Sequence, residues 1–174
     1  MVVKPINPPL VSVARKIPPT LIVIHSTAGS NLSGAVDTLR ERNLGYNYII
    51  DKDGVVYKCC PAGNYTYHAG NSYGPREEAQ RVSKQQDDGG NFVAGCSVNS
   101  YSVGISFVHE NDGRQVTDAQ KVAVRELIKA LKDQFPSIEW LTGHRLVSPG
   151  RKSDPNDFQI GPVAAELDLK LFVP

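Results

Sequence analysis

The sequence contains few of the residues that mark disulfide-rich or aromatic-rich proteins. Among its 174 residues there are three cysteines, one tryptophan and one methionine. Three cysteines leave at least one unpaired, and the neighbours Cys59 and Cys60 would pair only in a strained ring. A disulfide framework is therefore not expected, and synthesis in a reducing compartment is the simpler interpretation.

An excess of charge of either sign is also missing. Nineteen lysines and arginines nearly cancel eighteen acidic residues, which leaves a formal net charge of +1. No global field would draw such a chain to nucleic acid or to anionic lipid, so we expect no nucleic-acid partner. A length of 174 residues is enough for one domain with a substantial core. We favour a monomer, although the sequence leaves the oligomeric state open.

Long apolar runs are absent as well. Prolines at positions 5, 8, 9, 18 and 19 interrupt the N-terminal segment, so it has the pattern of neither a signal peptide nor a membrane span. We expect synthesis in the cytoplasm, an extended proline-rich arm over residues 1–19, and one folded domain over residues 20–174. Residues 69–100 are rich in Gly, Ser, Asn, Gln and Asp, which predicts a long loop insertion with a short helix near 76–86.

Apolar, β-branched runs predict the strands. The run TLIVIHS at 20–26 is typical of a buried strand, and a hairpin is expected to turn at 52–54 between two further strands. Two more short strands are predicted at 101–109 and 138–144. Together with the helices, this order predicts an α/β fold in which helices flank a mixed central β-sheet.

Helical periodicity predicts three further elements. SGAVDTLRERN is expected to form a helix before the hairpin. Thr117 and Gln120 form a capping box that opens an amphipathic helix to about Phe135. Its apolar positions are Val122, Leu127, Ile128 and Leu131. A closing helix is expected over residues 161–172, with Pro162 near its first turn.

Two histidines follow predicted buried strands, and an aspartate follows the second of them. His25 and His144 stand where apolar runs give way to loops, which is where α/β sheets present functional side chains. Asp154 lies ten residues after His144, on a loop stiffened by Pro149 and Pro155. Two imidazoles and one carboxylate leave a position for water, as in a catalytic zinc site.

Lys152 lies two residues before Asp154, where alternate side chains of an extended segment share a face. Its ammonium would there stabilise the oxyanion that forms when activated water attacks a carbonyl. The alternative is that Arg151 and Lys152 are a solvated pair of surface charges.

Five motifs resemble, in order, those of the zinc-dependent N-acetylmuramoyl-L-alanine amidase type 2 family. They are LIVIHST, GYNYIIDKDGVVYKC, YTYHAG, SVGIS and GHRLVSPGRKSDP, spread over about residues 20–158. That family includes phage amidase-type lysozymes, bacterial cell-wall amidases and peptidoglycan recognition proteins. The resemblance implies one zinc ion, peptidoglycan or muropeptides as substrate, and hydrolysis of the amide between the lactyl group of N-acetylmuramic acid and L-alanine.

The resemblance also implies roles for individual residues. It implies that the metal ligands are His25, His144 and Asp154, and that Lys152 is a catalytic electrostatic group. Tyr46 falls where the phage lysozymes have a catalytic tyrosine, and an ordinary half-buried strand tyrosine is the alternative. His68 falls at a histidine that lines the substrate groove, and a packing role is its alternative.

One position departs from the bacterial pattern of this family. Ser106 stands where many bacterial members carry a glutamate that is the expected general base. Because a serine cannot take that role near neutral pH, Tyr46 together with Lys152 becomes the preferred assignment, as in the phage branch.

Other functions remain open at this point. A cysteine peptidase or amidase would use Cys59, Cys60 or Cys96 with a histidine, and a peptidoglycan-binding module would keep the groove without catalysis. Since all three expected zinc ligands are present, we favour an enzyme. Its expected role is that of a phage or prophage endolysin, released to the cell wall through a holin-like partner. A cytosolic amidase that recycles muropeptides and an injected effector are the alternatives.

Overall fold

The structure, a computed structural model, describes residues 1–70, 72–75, 98–156 and 158–174. These residues contain nine strands and four α-helices. The helices are α1 (Leu32–Glu41), α2 (Asp118–Gln134), α3 (His144–Val147) and α4 (Ile160–Glu166), and a 3-10 turn covers Val98–Tyr101. The strands are β1 (Val3–Pro5), β2 (Val13–Ala14), β3 (Leu21–Ser26), β4 (Tyr48–Ile50), β5 (Val56–Lys58), β6 (Asn64–Tyr65), β7 (Ser102–Phe107), β8 (Trp140–Gly143) and β9 (Lys170–Leu171). The helix predicted near 76–86, most of loop 69–100 and Cys96 lie outside the described residues.

Seven of these strands form one mixed sheet in the order β1-β5-β4-β7-β3-β8-β9. Strands β4, β7, β3, β8 and β9 are parallel, β5 is antiparallel to β4, and β1 is parallel to β5 at the edge. The short strands β2 and β6 pair separately. The predicted α/β fold, a single domain with a mixed central sheet flanked by helices, is confirmed.

Strand β3 lies at the centre of the sheet and is buried along its whole length. Ile22 and Ile24 belong to the largest core cluster, which also contains the buried faces of α2 and α4. Leu21 and Val23 belong to a second cluster on the other face of the sheet. Because alternate residues of a strand point to opposite faces, His25 lies on the same face as Leu21 and Val23.

The predicted hairpin is formed by β4 and β5, and its turn depends on a glycine. Gly54 has a φ of 83°, and its N–H donates to the Asp51 carbonyl at 2.9 Å. A Cβ atom at Gly54 would lie 2.9 Å from the main-chain oxygen of Ala119 in α2. Both the left-handed backbone and the close approach of α2 therefore require glycine here.

Helix α2 begins as predicted but buries a different set of residues. Thr117 and Gln120 form the expected capping box. Val122, however, is 58% exposed, so the prediction that it contributes to the apolar face is wrong. It lies two positions before the buried Val124, which is about 200° around the helix. Small Ala123 takes the buried position instead.

The two ends of the chain contain strands that the sequence did not predict. The closing helix is shorter than expected, because α4 ends at Glu166 and Asp168 adopts a left-handed φ of 51°. The chain then returns as β9 beside β8. At the other end, the proline-rich arm is extended but paired through β1, and its Leu10 is buried in the core. None of the described helices is long and apolar enough to cross a membrane.

Candidate metal centre

The three predicted metal ligands lie together at one edge of the sheet. His25 lies near the end of β3, His144 directly follows β8, and Asp154 lies on the next loop. Nδ1 of His25 is 3.4 Å from Oδ2 of Asp154, and Nδ1 of His144 is 3.1 Å from Oδ1. One candidate ligand atom from each residue lies within 4.8 Å of the others. Zinc bonds of about 2.0–2.2 Å place tetrahedral ligand atoms about 3.3 Å apart, so the spacing suits one ion.

The three titratable side chains of this cluster have little contact with water. His25 is fully buried, His144 is 4% exposed, and the Asp154 side chain is 13% exposed. Burial alone would raise the pKa of Asp154, but the rings of His144 and His25, which donate to the carboxylate when they are protonated at low pH, outweigh burial and hold that pKa well below its usual range. Burial, and then the neighbouring His144, lower the pKa of His25 to about 4. The cluster is therefore a carboxylate facing a neutral His25 ring.

A chain of hydrogen bonds behind His25 fixes which of its nitrogens carries the proton. The Ser102 hydroxyl lies 2.5 Å from the Val98 carbonyl, which can only accept, so Ser102 donates to it. Ser102 Oγ then accepts from Nε2 of His68 at 3.1 Å. Burial lowers the pKa of His68 well below its usual value, so the ring is neutral and its Nδ1 accepts from His25 Nε2 at 2.9 Å. His25 consequently presents the lone pair of Nδ1 to Asp154.

His144 is oriented in the same way by a main-chain oxygen. Its Nε2 lies 3.2 Å from the carbonyl of Ala69, which accepts the N–H. In the neutral form of the ring, Nδ1 of His144 therefore also presents a lone pair to the Asp154 carboxylate. Two ring lone pairs and a carboxylate face one another, and the buried Nδ1 of His25 has no hydrogen-bond partner among the described residues. A divalent cation would satisfy all three, and two imidazoles with a carboxylate are a donor set that zinc accepts.

His68 lies directly behind His25, at the floor of the groove. Its ring is edge-on to that of His25, with centroids 5.0 Å apart, and the residue is 8% exposed. The ring fits only because position 104 is glycine, since a Cβ there would lie 2.7 Å from Cγ of His68. The substrate contact expected of His68 stays a prediction, and the contact that the structure shows is with His25.

Tyr46 packs against the cluster from the side of β4. Its ring centroid lies 4.9 Å from that of His25, and its hydroxyl is within hydrogen-bonding reach of the Ser106 hydroxyl. Burial, together with the charge of Asp154, raises the pKa of Tyr46 above its usual value. The phenol is therefore protonated at neutral pH and can donate a hydrogen bond. The general-base role expected of Tyr46 together with Lys152 stays a prediction.

A groove of about 700 Å³ opens beside the cluster and is lined by two of its three residues, His144 and Asp154. One wall carries residues of α1 and the segments beside it, and the other carries the exposed Lys152 and Arg151. Arg151 donates to the Ala69 carbonyl at 2.7 Å, so this cation is tied to the protein. Among the described residues, Asp154 is the sole acid that lines the groove. Tyr46 and His68 also line the groove.

The thiols described by the structure are poorly placed for nucleophilic catalysis. Cys59 is fully buried, Cys60 is 2% exposed, and neither is in a disulfide. Burial raises the pKa of both thiols, which disfavours the reactive thiolate. Cys60 accepts a hydrogen bond from Asn47, and no hydrogen bond joins either thiol to an imidazole within the described residues.

His109 likewise lies apart from the three ligands, where its Nδ1 accepts from the main chain of Asn111.

Two groups that orient the candidate ligands were not predictable from the sequence, namely the Ser102 hydroxyl, which acts through His68, and the Ala69 carbonyl. The motif YTYHAG did place Ala69 beside His68. A main-chain oxygen, however, carries no side-chain signal, and a serine at the start of a buried strand is indistinguishable from any other. Only the tertiary contacts reveal these two groups.

Comparison with known proteins identifies the family of this chain. The family profile described as N-acetylmuramoyl-L-alanine amidase (Amidase_2) matches residues 15–157, whereas no curated protein sequence matches. Similar solved structures include the endolysin N-acetylmuramoyl-L-alanine amidase LysCS from Clostridium intestinale, with 20% identity, coverage of 97% of this chain and 96% of that chain, and a TM-score of 0.71.

Two further structures share the fold. The amidase AmiD from E. coli, solved with anhydro-N-acetylmuramic acid-L-Ala-D-gamma-Glu-L-Lys, has 19% identity, coverage of 87% and 58%, and a TM-score of 0.65. Drosophila peptidoglycan recognition protein SA has 18% identity, coverage of 99% and 95%, and a TM-score of 0.65. On the profile match, which spans most of the sequence, the chain belongs to the N-acetylmuramoyl-L-alanine amidase type 2 family.

Proposed function

We propose that this protein is a zinc-dependent hydrolase that cleaves the amide between the lactyl group of N-acetylmuramic acid and L-alanine in peptidoglycan. The observation that carries the proposal is the arrangement of His25, His144 and Asp154, whose two ring lone pairs and carboxylate face one another beside the groove. Because the chain belongs to a family of N-acetylmuramoyl-L-alanine amidases, we assign hydrolysis of that amide to this arrangement.

Each residue of the site has a separate part in the proposed reaction. Nδ1 of His25, Nδ1 of His144 and the Asp154 carboxylate would hold zinc. Zinc bound there supplies Lewis-acid activation of water and of the scissile carbonyl. Lys152, on the groove wall, stabilises the negative charge that develops on the carbonyl oxygen. The Tyr46 hydroxyl, beside His25, donates a hydrogen bond that orients the attacking water.

The position of Lys152 suits this electrostatic role. It is exposed at the groove, so its ammonium can reach a bound substrate. Burial and the neighbouring His144 lower the pKa of His25 most, and the charge of Lys152 lowers it further. Lys152 therefore lies close enough to the ligands to act on them electrostatically. A cation beside a carbonyl is most effective where bound substrate has excluded water.

The decisive test is mass spectrometry of purified peptidoglycan after incubation with the protein. The arms are untreated protein, protein treated with a chelator, chelated protein with zinc restored, and protein alkylated at its thiols. We expect stem peptides that begin with the free amine of L-alanine, their loss on chelation, and their return with zinc.

The other outcomes identify the alternatives. Zinc binding and affinity for the wall without cleavage would indicate a peptidoglycan-binding module. Inhibition by alkylation, with activity unaffected by chelation, would indicate a cysteine hydrolase, for which Cys96 would be the candidate that lies outside the described residues. Cleavage at a different bond would retain the hydrolase and overturn the amidase.

The proposed biological role is cell-wall lysis as a phage or prophage endolysin that reaches its substrate through a holin-like partner. The fold shared with an endolysin amidase and the phage-type combination of Tyr46 with Ser106 support this role. It is tested by comparing turnover of intact sacculi with turnover of soluble muropeptides. Efficient cleavage of sacculi supports lysis, whereas activity confined to soluble fragments would indicate a recycling amidase.

A further inference from the structure

Asn99, in the 3-10 turn before β7, holds the main chain of two residues that contact the predicted histidine ligands. Its side-chain oxygen accepts the N–H of His68 at 3.0 Å and the N–H of Ala69 at 2.8 Å. Asn99 is 4% exposed and is not among the residues that line the groove. One buried amide oxygen thus fixes two consecutive peptide groups at positions 68 and 69.

These two residues supply the outer hydrogen-bond partners of both histidine ligands. His68 accepts from Nε2 of His25, and the Ala69 carbonyl accepts from Nε2 of His144. We propose that Asn99 is a positioning residue that orients both imidazole ligands at once, through His68 and Ala69, without touching the substrate. The inference rests on the ligand set of the proposed function and adds the residue that holds that set in place.

The N-terminal arm anchors Asn99 in turn. The Arg15 guanidinium donates to the main-chain oxygens of Asn99 at 3.4 Å and of Ser100 at 3.0 Å, and also to that of Ser102. Burial lowers the pKa of Arg15 to about 10, so the guanidinium remains charged at neutral pH. Arg15 therefore fixes the turn that carries Asn99 together with Ser102, whose hydroxyl contacts His68.

The physical reason for such an arrangement is the freedom of an imidazole ring. A ring whose second nitrogen has no fixed partner can rotate or change tautomer, and either change turns the ligand nitrogen away from the ion. Loss of an outer partner commonly weakens metal binding by about 10–100-fold. Because both rings depend on residues 68 and 69, whose N–H groups the Asn99 oxygen holds, we expect loss of that oxygen to disturb both ligands together.

The test measures metal binding directly, so that it does not depend on hydrolysis. Zinc affinity of the apoprotein is determined by competition with a chromophoric chelator, and the visible spectrum of the cobalt-substituted protein reports ligand geometry. Asn99→Ala removes the acceptor, Asn99→Asp retains an acceptor oxygen, and Ser100→Ala is the control. Ser100 is buried in the same turn and meets Arg15 through its main-chain oxygen.

We expect Asn99→Ala to weaken zinc binding by about 10–100-fold and to change the cobalt spectrum. Asn99→Asp should recover most of the affinity, and Ser100→Ala should match the parent protein. A merely structural role would lower the thermal stability of the apoprotein in Asn99→Ala while leaving zinc affinity and cobalt spectrum like those of Ser100→Ala, and this result would overturn the inference.

A second variant covers the case in which Asn99→Ala does not fold. Ser102→Ala removes the acceptor for His68 Nε2 while Asn99 stays in place, and it should weaken zinc binding through His25 alone. Unchanged zinc affinity in Ser102→Ala would then overturn the proposed path through His68. Failure of the proposed function appears differently, either as a parent protein that binds no zinc or as one that binds zinc and cleaves no peptidoglycan.

Discussion

His25 and Ser106 are direct partners in the parallel register of β3 and β7. Both residues are fully buried, and the Ser106 hydroxyl meets that of Tyr46, whose ring packs on His25. Because paired residues of neighbouring strands point to the same face of a sheet, a glutamate at position 106 would lie on the face that carries His25. Ser106, which departs from the bacterial pattern of the family, therefore contacts Tyr46, the residue expected to compensate for the missing glutamate.

Tyr46→Phe removes the phenol hydroxyl and keeps the ring that packs on His25. If the hydroxyl orients the attacking water, kcat should fall by on the order of 10²-fold, and zinc affinity should not change. Tyr57→Phe is the control, because Tyr57 is half-buried on β5 and outside the groove. Steady-state kinetics on soluble muropeptides measure the effect. A Tyr46→Phe enzyme as fast as Tyr57→Phe would return Tyr46 to an ordinary packing role.

Lys152→Ala should leave zinc in place and slow the chemical step. A cation that contacts the developing oxyanion contributes on the order of 3 kcal/mol to lowering the barrier, so kcat should fall by about 10²–10³-fold. Lys129→Ala removes an exposed ammonium on α2, away from the groove, and should leave kcat unchanged. Equal rates for the two variants would show that Lys152 is a solvated surface charge.

The grouping of the candidate site was predictable because its expected ligands occur at abrupt changes of pattern. His25 and His144 each follow an apolar run, and Asp154 stands between prolines on a loop without periodicity. Parallel strands then carry both histidines to the same sheet edge. The hairpin and the capping box were predictable for the same reason, since their signals lie within a few residues of one another.

The parts that the sequence did not reveal depend on contacts between distant segments. Strand β9 has two residues, too few for a period, and forms because the chain returns beside β8. The contact between His25 and His68 joins residues 43 positions apart. Asn99 meets His68 from 31 positions away. An asparagine in a polar, irregular stretch gives no sign that its oxygen will hold two peptide groups.

Asp154→Ala and His144→Ala should each abolish zinc retention together with hydrolysis. Either change removes one of three protein ligands, and Asp154→Ala also removes the negative charge that faces both rings. Asn156→Ala, an exposed change on the same loop, should keep both properties. Metal content by mass spectrometry and peptidoglycan turnover are measured on the same preparations. Full activity in an Asp154→Ala protein that contains no zinc would exclude the proposed metal site.

Gly104→Ala should displace His68 and thereby weaken zinc binding. The added Cβ would lie 2.7 Å from Cγ of His68 and 2.9 Å from Cδ2 of that ring, so the ring must shift from the position in which it contacts His25. We expect a loss of zinc affinity of roughly tenfold or more and a stability loss of about 1–3 kcal/mol. Gly63→Ala is the control, because no atom lies within 4 Å of its added Cβ. Calorimetric zinc titration of both variants distinguishes a local displacement from general destabilisation.

Leu10→Ala should show that the proline-rich arm is part of the fold. Leu10 is 4% exposed and packs in the core cluster of Ile49 and Cys59, while its N–H donates to the Cys59 carbonyl at 2.9 Å. Truncating a buried leucine costs about 2–5 kcal/mol of unfolding free energy. The neighbouring Val11 is 41% exposed, so Val11→Ala should change stability by less than about 0.5 kcal/mol. Urea unfolding of both variants measures the difference. Equal midpoints would mean that the arm is detached in solution, and Arg15 could then not hold the turn that carries Asn99.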